Sequence, residues 1–183
     1  MPDLLQSLQK HDAGHLHIVA DLWGIEIPAR DTATALKELC AALLRPELLA
    51  EIIESLTPPA GAALEALRAR SGRIPWAEFT RQFGDIREMG PGKRDRERPH
   101  KAPASASEAL YYRALLARAF FDTPSGPVEF AYIPDDLLAL IGTPGKPDRA
   151  ARPLGRPAST AERAVPILAD DHILDEATTH CRA

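Results

Sequence analysis

The stretch Ser107–Ile141, SEALYYRALLARAFFDTPSGPVEFAYIPDDLLALI, decides how the fold of this chain is read. Ala109, Leu110, Tyr112, Leu115, Leu116 and Ala119 recur at helical spacing, which predicts one amphipathic helix with a wide apolar face. Ala119–Asp122 and Val128–Ile133 are rich in aromatic and β-branched residues and predict two short strands. Thr123-Pro124-Ser125-Gly126-Pro127 between them has the residue chemistry of a chain reversal. Pro134-Asp135-Asp136 then opens a helix, because proline suits a first helical turn and carboxylates complement its positive end.

Working outward, the residues before this stretch supply what such a helix and hairpin pack against. Thr57-Pro58-Pro59 marks a helix start, and Ala63, Leu64 and Leu67 face inward along Ala62–Arg70. Gly72 stops that helix, Gly72-Arg73-Ile74-Pro75 is a brief extended piece, and Trp76–Phe83 is a short helix ended by Gly84. Helix, short strand, helix, helix and hairpin is the order of a winged helix-turn-helix. Between Gly84 and Ser107, however, lies DIREMGPGKRDRERPHKAPASA, which is polar, rich in proline and glycine, and without periodicity. The turn of a helix-turn-helix takes only a few residues. Residues 85–106 are therefore expected to form a mobile loop that is functional or disordered.

Residues 2–56 predict a separate helical unit. Leu4, Leu5 and Leu8 mark a first helix, and Leu16 to Trp23 a second, capped by Asp12 and ended by Gly24. Asp31 or Thr32 caps a third, carrying Leu36, Leu39, Cys40 and Leu43, and Pro46 opens a fourth. After Ile141 the composition turns rich in Pro, Gly and Arg. Residues 142–166 read as a linker and 167–183 as the start of a further, truncated segment. The expected class is thus mainly α with a small β-hairpin, an α+β fold of two units spanning 2–56 and 57–141.

Composition bounds the function. The 183 residues carry a net charge of −4, which argues against coating nucleic acid through bulk positive charge but leaves room for a local basic patch. Cys40 reads as a small core residue, and neither cysteine belongs to a CxxC pair. No early apolar run has the length of a secretory signal or membrane span, so a cytoplasmic protein is expected.

No motif for catalysis emerges. Gly142-Thr143-Pro144-Gly145-Lys146-Pro147 lacks the spacing of a phosphate loop, and proline follows its lysine. His15 and His17 sit two residues apart, so a helix points them to different sides, and both are expected to face solvent. No catalytic residue, metal or cofactor is therefore expected. The best binding signal is basic: Lys93, Arg94, Arg96, Arg98 and Lys101 in the long loop, with Arg113 and Arg118 on or beside the helix that would enter DNA. That helix is too apolar for base readout, which predicts weak, phosphate-directed DNA contact. The alternative is a protein-docking module using Tyr111, Tyr112 and Leu115 as an exposed patch.

Leu36-Lys37-Glu38-Leu39 resembles part of a SAP-type module, although Arg30-Asp31-Thr32-Ala33 replaces the usual preceding Gly-Lys pair. With the Leu64–Leu67 helix leading through Gly72 to Phe79 and Gly84, and Ala131-Tyr132-Ile133-Pro134-Asp135-Asp136-Leu137, the pattern over Pro2–Ile141 resembles a helicase-associated N-terminal region. That region occurs in bacterial proteins related to XPB/Ssl-type DNA helicases. The resemblance implies an accessory module of a helicase-like or transcription-related protein, not a motor.

Overall fold

A computed structural model of the chain describes residues 1–27, 31–124 and 126–142. Of the expected linker 142–166 only Gly142 is described, and the segment 167–183 lies outside the described residues.

Four helices come first: α1 (Leu4–Leu8), α2 (Ala13–Leu22), α3 (Thr32–Leu43) and α4 (Pro46–Glu54). Their starts follow local chemistry. The carboxylates of Asp3, Asp12 and Asp31 accept the backbone N–H of Gln6, His15 and Thr34, and Pro46 occupies the first turn of α4. Next come α5 (Pro58–Ala69), strand β1 (Arg73–Pro75) and α6 (Trp76–Phe83). The chain continues through α7 (Pro91–Glu97) and α8 (Ala106–Tyr111), then β2 (Ala117–Thr123), β3 (Gly126–Tyr132) and α9 (Asp135–Ile141). The three strands form an antiparallel sheet in the order β1-β3-β2. The fold is α+β and mainly helical, as expected.

Two expectations about length fail for identifiable reasons. The apolar periodicity across Ala109–Ala119 does not make one helix, because α8 stops at Tyr111. Ala114 takes a left-handed conformation (φ 56°), its N–H donates to the Tyr111 carbonyl, and the Leu115 N–H donates to the Leu110 carbonyl at 3.1 Å. These two bonds are a Schellman stop, and Leu110 and Leu115, the positions that such a stop brings together, are both fully buried in the core. Arg118 is therefore a strand residue. The apolar spacing of Leu115 and Leu116 reflects burial in the turn, not a helical face.

Second, residues 85–106 are not a structureless loop. Pro91 stands at the first turn of α7, Arg98 ends it in a left-handed conformation, and Arg94 is buried. An isolated seven-residue helix is unstable in water, so its stability comes from docking.

The proposed boundary near residue 56 is absent from the packing. One apolar cluster joins Leu4, Leu16, Val19 and Leu39 to Leu64, Leu110, Leu115 and Leu137. Polar ties cross the same line. The Leu4 N–H donates to Asp136, the Ser7 and Tyr132 hydroxyls lie 2.9 Å apart, and the Trp23 indole N–H donates to the Arg113 carbonyl. The helical segment and the helix–sheet segment share a single core. No helix among the described residues is long and apolar enough to cross a membrane.

Candidate nucleic-acid interface

The basic segment is built around one inward-facing arginine. Arg94 leaves α7 toward the start of α2, where its Nη1 and Nη2 each donate to Asp12 at 2.8 Å. Its Nε and Nη2 also reach Asp95 at 3.1 and 3.0 Å. Gly14 makes room for this, since a Cβ there would lie 2.4 Å from Arg94 Nη2. Asp12 thus caps α2 with one hand and holds α7 with the other. The Arg94 hydrogen bonds keep its carboxyl well below the usual carboxylate range, and those bonds in turn raise the arginine.

The other cations of the segment point outward. Lys93, Arg96, Arg98 and Lys101 are exposed. Lys93 lies 3.8 Å from Glu97, a solvated i,i+4 pair of little energetic weight. Among the described residues, Arg96, Arg98 and Lys101 enter no ion pair. Asp95, which by sequence alone dilutes the local positive field, is taken up by Arg94.

Of the seven cations singled out in the sequence, three do not have the placement expected. Arg94 is spent on Asp12 and Asp95 and cannot meet a phosphate without undocking α7. Arg113 turns back on α8, donating to the Ala109 carbonyl at 3.0 Å, with a buried Nε and a guanidinium whose pKa is lowered by burial. Arg118 stands over the Trp76 ring, 5.5 Å from its centroid, near Glu88 (3.3 Å) and Glu129 (3.8 Å). Helix α8 cannot enter a groove, because Ser107, Glu108, Ala109 and Leu110 are all buried. The docking patch expected from Tyr111, Tyr112 and Leu115 is not formed either. Tyr112 and Leu115 are buried, and Tyr111 packs edge-on against His11 and Tyr112.

Beneath α7 lies a cavity of about 380 Å³, lined in part by His11, His15, Tyr111, Arg87, Arg94 and Arg118. Here the expectation for the histidines is half corrected. His17 is exposed, but His15 is only 2% exposed and stacks on His11 with ring centroids 4.1 Å apart. Burial, then the neighbouring His11 and Arg94, push the His15 imidazole down to about 3, so it is neutral. Its Nε2 is buried without a partner among the described residues. The His11…His15 spacing of four residues was the sequence signal for this stack.

Glu108, fully buried on α8, accepts Arg87 Nη2 at 2.7 Å, Arg87 Nε at 3.0 Å and the Ala104 N–H at 2.7 Å. The carboxylates that line the cavity are Asp12, clamped by Arg94, and the exposed Glu88, 3.3 Å from Arg118, whereas the Arg87–Glu108 pair fixes backbone segments beside it. Sequence reasoning missed this pair, since nothing in the spacing of Arg87 and Glu108 links them. Comparison with family models, curated proteins and solved structures returns no match to this chain.

Proposed function

We propose that this chain is a non-catalytic accessory module that binds DNA through phosphates, using Arg96, Arg98 and Lys101 with a contribution from Lys93. The observation that carries the reading is the docking of α7. Because Arg94 holds the helix on α2, three exposed, unpaired cations sit on a fixed base and not on a free arm. Fixing them lowers the ordering cost of engaging a phosphate strand. The burial of α8 argues for backbone contact without base readout. Apart from the inserted α7, the order α5-β1-α6-α8-β2-β3 and the β1-β3-β2 sheet support a winged-helix reading, and with it membership in a larger helicase-like or transcription-related protein.

Three phosphate contacts predict a log–log salt slope of about −3 on duplex DNA, or roughly forty-fold weaker binding from 50 to 200 mM salt. The test is fluorescence anisotropy on labelled duplex and single-stranded DNA across that range, with the triple variant Arg96→Glu, Arg98→Glu, Lys101→Glu. Loss of binding in the variant, with an unchanged circular dichroism spectrum, is expected. Equal affinity in the two proteins, or no binding by the parent at low salt, would refute the placement.

A further inference from the structure

The sheet has two edges of different character. β1 is three residues long and ends in Pro75, both of which blunt an edge against further pairing. β2 is seven residues long and contains no proline, glycine or lysine. Among the described residues, Ala117–Asp122 make no backbone hydrogen bond outside the β2–β3 ladder. At its centre stands Phe120, 70% exposed and the most exposed large apolar residue described. Arg118, Phe120 and Asp122 alternate along the strand, so they share one face, and all three are exposed.

We propose that β2 is a homotypic docking edge, where a second copy of this chain pairs antiparallel about Phe120 to give a two-fold dimer with a continuous six-stranded sheet. The residue order is the argument. Antiparallel pairing centred on residue 120 sets Phe120 against Phe120 and places Arg118 opposite the second copy's Asp122, twice by symmetry. On the other face it places Ala119 opposite Phe121, beside the half-buried ring of Phe130. The parallel in-register arrangement would instead stack Arg118 on Arg118 and Asp122 on Asp122. Charges that ordinarily guard an edge are here complementary to their own copy in one orientation alone. Arg118 now stands over Trp76 and near Glu88 and Glu129, and it reaches Asp122 of the second copy by exchanging the weak, exposed Glu88 pair, since the Glu129 contact at 3.8 Å is long.

A single strand pair buries less than the ~1,000 Å² of a stable interface, so the dimer forms reversibly, with a dissociation constant on the order of micromolar to tens of micromolar. Sedimentation velocity of the full chain, from about 1 to 200 μM at low salt, should show the weight-average sedimentation coefficient rising with concentration. Arg118→Asp and Asp122→Arg should each weaken association by about tenfold, because two attractive pairs become repulsive. Mixing these two variants, or combining both substitutions in one chain, should restore it. Phe120→Ser should abolish it. A wild-type chain that stays monomeric throughout overturns the proposal, as does an Asp122→Arg variant that associates as well as the parent. Should Arg118→Asp fail to fold through loss of its Trp76 contact, Asp122→Arg and its rescue by the double substitution still decide the matter. Association that persists undiminished in Phe120→Ser places the interface elsewhere and overturns it too.

Discussion

Replacing Arg94 with methionine tests the central structural claim, that an ion pair and not local helix propensity holds α7 in place. Methionine keeps most of the buried stem and removes only the guanidinium. Four donor–acceptor contacts are lost, two to Asp12 at 2.8 Å and two to Asp95 at 3.0 and 3.1 Å. Hydrogen bonds to charged groups contribute roughly 1.5–3 kcal/mol each when desolvated. Here the acceptors are 45% and 60% exposed and rehydrate once freed, so the sum must be discounted heavily. We expect a total loss of about 2–3 kcal/mol, most of it from Asp12. Asp12→Asn isolates that part, because asparagine still caps α2 while removing the charge. A double-mutant cycle between Asp12→Asn and Arg94→Met, read by urea denaturation, should give a coupling of about 1.5 kcal/mol. Hydrogen exchange provides the spatial readout: the amides of Lys93–Glu97 should lose protection while those of α5 and α8 keep theirs. DNA binding should weaken alongside, although no phosphate-contacting residue has been altered. A coupling below about 0.5 kcal/mol with α7 still protected would refute the reasoning.

Two further predictions concern the same region. His15 is neutral in the folded chain, with its pKa pushed down to about 3, whereas in the unfolded chain it titrates near 6.5. The unfolded state therefore binds the extra proton, and stability falls as pH drops from about 6.5 toward 3. His15→Phe, measured by urea midpoints at pH 7.5 and 5, should flatten that dependence; an unchanged slope would show that His15 does not carry it. Arg87→Met strands the fully buried Glu108 carboxylate, and we expect a loss of about 3 kcal/mol at pH 7, the lower end for a broken buried pair because Arg87 itself is 40% exposed. Urea denaturation of the two proteins at pH 7 measures that loss; a variant within about 1 kcal/mol of the parent would show that Arg87 does not hold the buried carboxylate.

Much of the fold was legible in the residues because it is set by local chemistry. Asp12 and Asp31 cap helices where short polar side chains precede apolar periodicity, and Pro46 and Pro58 open them. The hairpin follows from strand-forming residues on either side of a Pro/Gly turn: Ala119–Asp122 lies inside the first observed strand, and Val128–Ile133 lies inside the second except for Ile133, one residue past its end. These signals need only neighbours within a few residues.

What the tertiary structure alone decided depends on groups far apart in the chain. Arg94 and Asp12 are 82 residues apart, and Arg87 and Glu108 are 21 apart. No periodicity encodes such a pairing, so a polar, proline-broken segment reads as a free loop until its docking partner is known. The same reason explains the misplaced helix end at Ala114. The apolar spacing of Leu110, Leu115 and Leu116 fits a continuing helix equally well, and only burial of Leu115 against the core selects the left-handed stop. Burial also reassigned the cations: a sequence counts charge, but whether a guanidinium meets solvent or a carboxylate depends on how distant segments pack.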